Sequence, residues 1–213
     1  MSKQTKNYVE INTLSESSEK DPFTIERYEQ FHHHFTNSIV EILDVGCNTG
    51  RGGERLKNLS SNLVISGLDC VQERLMRISP KVYSQTICSY STDINIENSV
   101  FDAVIAGEFI EHLKPGDVNT TIQEFNRILK KKGMLLLTTP NPSYLRLKIT
   151  GKSVLDGEAH LSQHHPLELK NKLEQSGFDN VDIFGSGKMS RYLGEKFPLL
   201  SFYGSYLIKA IKK

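Results

Sequence analysis

Between Glu41 and Thr139, short and uniformly apolar runs alternate with segments whose hydrophobic residues recur every three or four positions. The first pattern is that of a strand buried on both faces, and the second that of an amphipathic helix. The runs predict strands at Glu41–Val45, Leu63–Leu68, Val82–Cys88, Phe101–Ala106 and Met134–Thr139. The periodic segments predict helices at Gly53–Leu59, at Val71–Ile78 (stopping before Pro80) and at Val118–Leu129. Asp117 is placed to cap the last of these, Lys130–Lys132 to fill its final turn, and Gly133 to end it. Such alternation predicts a parallel sheet with helices on both faces.

The flanks read differently. Phe23, Arg27, Tyr28, Phe31 and Phe35 recur at helical spacing within Pro22–Asn37. Residues 1–21 are polar and are expected to form a mobile leader, or a strap that orders on binding. Beyond the fifth strand, the sequence predicts a short helix at Pro142–Ile149, a loop over Gly151–Gln163 and a helix at Pro166–Ser176 ended by Gly177. Val181–Phe184 and Tyr206–Ile211 read as two last strands, an antiparallel hairpin added to the sheet edge. No repeat or linker divides the chain, so residues 22–213 are expected to form one domain.

Composition narrows the class. The 213 residues are 38% hydrophobic and 24% charged, with a net charge of +1. Near neutrality gives no electrostatic reason to expect a long nucleic-acid partner. Cys47, Cys70 and Cys88 form no CxxC pair, and an odd count without a signal peptide points to free thiols in a reducing compartment. No run approaches the ~18–20 apolar residues of a membrane span, and the expected location is the cytoplasm. His32-His33-His34 cannot serve one metal from a helix, because adjacent side chains point about 100° apart.

The chemistry is concentrated in Ile42-Leu43-Asp44-Val45-Gly46-Cys47-Asn48-Thr49-Gly50-Arg51-Gly52, where an apolar strand runs into a glycine-bearing turn and then a helix. Glycine there permits positive φ and a close approach of backbone to ligand. Asp69 ends the next strand, 19 residues after Gly50, at a spacing that lets a carboxylate reach the two hydroxyls of a ribose. The Gly-x-Gly-x-x-Gly hexamer of nicotinamide enzymes is absent.

With Asp44-Val45-Gly46-Cys47-Asn48-Thr49-Gly50, the chain resembles the class I S-adenosylmethionine-dependent methyltransferases from about Glu41 to Phe178. Their first motif commonly reads Asp-Val-Gly-Cys-Gly-Thr-Gly, so Asn48 stands where a glycine is usual; asparagine is the next most tolerant of left-handed geometry. The resemblance implies a Rossmann-like α/β fold: a seven-stranded, mostly parallel sheet with an antiparallel last strand and helices on both faces. It implies S-adenosyl-L-methionine as cofactor, its methionine part held by Asp44, Gly46, Cys47, Asn48 and Gly50. It implies Asp69 and Cys70 at the ribose, Asp93 and Ile94 at the adenine, and Gly107 completing the site. Phe101-Asp102-Ala103-Val104 matches the fourth-strand signature, in which Asp102 is structural.

After the fourth strand comes Gly107-Glu108-Phe109-Ile110-Glu111-His112. On a helical turn, positions i, i+3 and i+4 share one face, so Glu108, Glu111 and His112 together suit a divalent cation such as magnesium. The Glu-x-x-Glu-His pattern resembles quinone-biosynthesis O-methyltransferases and small-RNA 2′-O-methyltransferases, where it is associated with a metal near the acceptor oxygen. Three readings stay open: a metal site, His112 as a metal-free general base, and a plain helix start. Glu158-Ala159-His160-Leu161-Ser162-Gln163-His164-His165-Pro166 forms a second polar cluster, in which His160 is the first choice to complete the metal site or act as base. Oxygen acceptors need a base or a metal more than amines do, which favours O-methylation. The stretch from Asn141 to Gly204 is similar to methyltransferases of surface-polysaccharide and sugar biosynthesis. Arg146, Lys148, Lys152, Lys188 and Arg191 add positive charge suited to a nucleotide sugar. A quinone or phenol comes second and an RNA ribose third; a non-catalytic partner subunit that binds the cofactor is the reading from another class.

Overall fold

The computed structural model describes residues 7–14, 21–157 and 159–213. Its centre is a seven-stranded sheet, with β1 Glu41–Val45, β2 Val64–Asp69, β3 Gln85–Cys88, β4 Phe101–Gly107, β5 Leu129–Pro140, β6 Phe178–Ser186 and β7 Ser205–Lys212. The order is β3-β2-β1-β4-β5-β7-β6. All pairs from β3 to β5 are parallel, and β7 runs antiparallel to both β5 and β6. The last strand therefore lies between β5 and β6, and β6 forms the outer edge.

Side-chain alternation along the strands builds two cores. Leu43, Val45, Val104, Leu135 and Leu137 face one side, with Ile122 and Phe125 of α5 (Val118–Ile128) and Leu169 and Leu173 of α7 (Pro166–Gln175). Ile42, Ala103, Ile105 and Leu136 face the other, with Tyr28 and Phe31 of α2 (Thr24–His33) and Leu56 of α3 (Arg51–Leu59). Each fully buried Leu, Ile or Phe contributes about 1.5–3 kcal/mol relative to exposure. No helix among the described residues is long and apolar enough to cross a membrane.

Several local expectations are corrected. Within the residues read as a leader, α1 (Tyr8–Leu14) is helical, and its Tyr8 hydroxyl donates to the Asp117 carboxylate; residues 1–6 and 15–20 lie outside those described. Asp117 makes no side-chain cap to α5, because its carboxylate is engaged by Tyr8. Lys130–Lys132 belong to β5, not to the end of α5. The β4–β5 register jumps between Phe101 and Ala103, and in that irregularity Lys130 Nζ meets Asp102 Oδ1 at 2.8 Å. Asp102 also accepts the Val40 and Glu41 N–H groups, tying β1 to β4. The helix expected at Val71–Ile78 shrinks to α4 (Gln72–Leu75), because Arg77 and Ile78 bond to carbonyls three residues back ahead of Pro80. Tyr83 leaves the expected third strand for the core.

Candidate active site

Strand order reverses between β1 and β4, and open α/β sheets bind ligands beyond the carboxyl ends of the strands at that point. A cavity of about 970 Å³ lies there, bordered by the β1–α3 loop, Asp69, Glu108, Phe109, Glu111, His112, His160 and part of α1. In the loop, Gly46, Asn48 and Gly50 take φ values of +70°, +52° and +88°. Gly46 is needed twice over: its φ is left-handed, and a Cβ there would lie 2.8 Å from the Phe109 ring. Asn48 adopts the left-handed geometry required in place of the usual glycine, and its N–H donates to Asp69 Oδ2 at 3.0 Å.

Asp44 is fully buried beneath this loop. It accepts the hydroxyls of Tyr28 at 2.6 Å and Tyr83 at 2.5 Å. Burial raises its pKa to about 7, against the two hydroxyl donors. Asp44 does not border the cavity; it anchors the loop from below. Asp69 does border it, and its other oxygen accepts Val71 N–H at 2.9 Å. Burial raises the Asp69 pKa as well, opposed by these backbone donors. Cys47, Cys70 and Gly107 also line the cavity.

The two residues expected at the adenine lie off the cavity lining. Asp93 is exposed, the Ile94 side chain is buried, and Ile94 N–H already donates to Glu124 Oε2 at 3.0 Å. Neither residue borders the cavity, whereas Ser89, Tyr90, Ser91 and Thr92 do, with Tyr8 and Asn12 of α1. Tyr8 and Tyr90 pack with ring centroids 5.7 Å apart.

The expected trio of Glu108, Glu111 and His112 on one helical face does not form. Only Ile110–His112 makes a turn, a 3₁₀ one, and Glu108 precedes it with φ +49°. Its carboxylate faces Ser205 Oγ at 3.3 Å and Arg27 Nε at 3.8 Å. The structure instead gathers Glu111, His112 and His160, with one ligand atom from each lying within 4.8 Å of the others. That is about twice a metal–ligand distance of roughly 2.0–2.3 Å. Glu111 Oε2 accepts Thr139 Oγ1 at 3.0 Å, while Oε1 is buried without a partner. Burial, with the Glu108 charge adding to it, pushes the Glu111 pKa well above the carboxylate range. His112 Nδ1 lies 3.0 Å from Ala159 O, and His160 Nδ1 2.6 Å from Val154 O. A carbonyl only accepts, so each ring donates from Nδ1 and leaves Nε2 as the atom turned away from the carbonyl. Burial lowers the His112 pKa to about 4, which keeps the ring neutral at pH 7. The donor set fits a divalent cation: an orphaned buried carboxylate oxygen and two oriented imidazoles, that of His112 held neutral by burial.

The other histidines do not line the cavity. His164 is buried against Ser162 Oγ and Ile110 O, and His165 precedes α7 without a side-chain cap. His32 faces Ser60 and His34 faces Glu195, in separate directions. Glu158 lies outside the described residues. Of the five basic residues of the distal half, Arg146 and Lys188 line the cavity, and Arg191 pairs with Glu26. Sequence reasoning missed Tyr28 and Tyr83 as the partners of Asp44. The only trace they leave is the Gly52-Gly53 pair, against which both rings pack.

Comparison with known proteins agrees with this geometry. The family described as a methyltransferase domain matches residues 10–183. The mitochondrial ubiquinone biosynthesis O-methyltransferase of Rattus norvegicus is 32% identical over 165 residues, covering 70% of this chain and 47% of that protein. The chain thus spans under half the length of that relative. An S-adenosylmethionine-dependent methyltransferase from Archaeoglobus fulgidus superposes with a TM-score of 0.70 at 21% identity, covering 89% of this chain and 93% of that one. Phosphoethanolamine N-methyltransferase 2 of Haemonchus contortus, solved with S-adenosyl-L-methionine, has a TM-score of 0.70 at 13% identity, covering 100% of this chain and 61% of that one. The fold, the left-handed loop and the family match agree: the chain belongs to the class I S-adenosylmethionine-dependent methyltransferases.

Proposed function

We propose that this protein methylates a hydroxyl oxygen of a small or glycan-linked acceptor, with a divalent cation held by Glu111, His112 and His160. The observation that carries this reading is the buried, partnerless Oε1 of Glu111 beside two imidazoles oriented through Nδ1. S-adenosylmethionine supplies an activated methyl group on a sulfonium. A bound cation supplies Lewis acidity that lowers the pKa of a hydroxyl. The residues do the rest. Backbone N–H groups and the Asp69 carboxylate present polar contacts at the loop, and Ser89–Thr92 with Tyr8 form the wall suited to the adenosine end. Phe109 backs the loop and helps keep water from the reacting carbon. Thr139 fixes Glu111, and the Ala159 and Val154 carbonyls fix the two rings. Glu108 and Ser205, at the edge of the same space, offer hydrogen bonds to the acceptor. Free thiols at Cys47, Cys70 and Cys88 fit a reducing cytoplasm.

A sugar acceptor is favoured by Arg146 and Lys188 at the cavity rim, which suit the phosphates of a nucleotide sugar. A phenol is the second reading, favoured by the apolar wall of Phe109, Tyr144 and Leu147 and by the O-methyltransferase relatives. The test is labelled S-adenosylmethionine with pools of nucleotide sugars, glycans, phenols and RNA. Incorporation should fall with chelator, return with added divalent cation, and be lost in Glu111→Gln. Activity indifferent to both chelator and Glu111→Gln refutes the cation. Cofactor binding by calorimetry with no turnover on any pool refutes the enzyme and points to a non-catalytic subunit.

A further inference from the structure

The wall of the cavity between β5 and the turn Val154–Asp156 has an unusual outer side. Helix α6 (Leu145–Thr150) has no buried residue, with Leu145 42% and Ile149 75% exposed. These two lie one helical turn apart and share a face. Leu155 follows at 49%, and α6 packs against the turn Leu200–Phe202, which adds Leu199 at 53% and Phe202 at 39%. Phe197 and Phe202 pack edge to face, with centroids 6.1 Å apart. Among the described residues, Leu145, Ile149, Leu155, Phe197, Leu199 and Phe202 are all exposed, so apolar exposure gathers on and beside α6 and the turn it packs against. Scattered exposed apolar residues are ordinary; a contiguous face of them marks an interaction surface.

Charge selects the occupant. From Asn141 to Leu155 there is no Asp or Glu, while Arg146, Lys148 and Lys152 are present; one exposed acid, Asp156, follows, and Lys196 lies exposed beside Phe197, next to a Glu195 engaged by His34 and Gln30. Apolar side chains interleaved with cations match an interface that is apolar below and anionic at its surface. The same segment lines the cavity from inside through Tyr144, Arg146, Leu147, Ser153 and Val154. The apolar face is therefore the rim of the acceptor entrance. We infer that this face rests on an anionic lipid surface and that the acceptor enters from it. The second clause deepens the proposed reading and rests on it: the hydroxyl belongs to a lipid-borne molecule. The first does not need catalysis.

The test is flotation of the full chain with vesicles of phosphatidylcholine alone or mixed with phosphatidylglycerol. Binding is expected to the mixed vesicles and to weaken with salt. Lys148→Ala should weaken it about fivefold. Ile149→Asp should weaken it at least about tenfold, while cofactor binding and turnover of a water-soluble acceptor stay unchanged. No binding to anionic vesicles, or equal binding by wild type and both variants, overturns the inference. So does a dimer that forms without lipid and is lost in Ile149→Asp, which assigns the face to a second copy. Vesicle binding that follows the variants, in a chain that methylates nothing, leaves the docking face standing and removes the proposed activity.

Discussion

Replacing Asp44 by asparagine isolates the cost of the ionised carboxyl beneath the loop. The side chain is fully buried, and its pKa is raised to about 7 from the ordinary value of 3.8. Burial is the main cause, and the Tyr28 and Tyr83 hydroxyls offset only part of it. Because the folded pKa lies above the unfolded one, the stability linked to the bound proton is full below the unfolded value. It is lost as pH rises through the folded value. Above pH 5 the unfolded carboxyl is already ionised, so the wild type loses about 1.4 kcal/mol per pH unit until roughly pH 7, about 3 kcal/mol in all between pH 5 and 8. Asp44→Asn keeps the shape and one hydroxyl acceptor, and removes the titration. It should pay a fixed offset of about 1 kcal/mol for the tyrosine left without its acceptor. Asp69 and Glu111 are also raised, but they are present in both chains and cancel to first order. Urea unfolding followed by circular dichroism at pH 5 and pH 8 measures the difference directly. The variant should gain about 2–4 kcal/mol on the wild type across that interval. Parallel stability curves would show that Asp44 ionises as if it were in water, and the reasoning would be wrong.

Three further outcomes are expected. Gly52→Ala adds a Cβ about 2.1 Å from the Tyr28 ring, which Asp44 holds in place. Overpacking of about 1–3 kcal/mol should exceed the helix-propensity gain of about 1 kcal/mol, and a calorimetric melt that does not fall contradicts this. Asn48→Ala places a less tolerant residue at φ +52°; it should lose about 1–2 kcal/mol of stability, with Asn48→Gly close to wild type, and equal melting temperatures for the two would remove the backbone explanation. Glu111→Gln removes the metal-ligating carboxylate but keeps the shape and an acceptor for Thr139, so activity should fall at least about 100-fold with little loss of thermal stability; a parallel fall in both would mean that the residue is structural.

The sheet was legible because its signals are local. Uniformly apolar runs at Glu41–Val45 and Phe101–Gly107 declare strands buried on both faces, whatever lies above them. The loop was legible because Gly46, Asn48 and Gly50 must each tolerate positive φ, and because Asp69 follows at a fixed distance along the chain. Local signals misled where a distant partner prevailed: Lys130 left the helix end for Asp102, and Asp117 gave up its cap for Tyr8. The site depended most on such meetings. Glu108 turned to Arg27 and Ser205, His112 met the Ala159 carbonyl beside His160, and Ser89–Thr92 rather than Asp93 and Ile94 line the cavity. By itself, then, the sequence determined the parallel sheet, the left-handed loop and the family, since each is written in short-range periodicity, glycine placement and spacing. The tertiary structure alone decided which carboxylate joins the two histidines, which hydroxyls hold Asp44 and which face stays apolar and open. Those outcomes depend on contacts between residues 16 to 97 positions apart, and on the burial that shifts their charges.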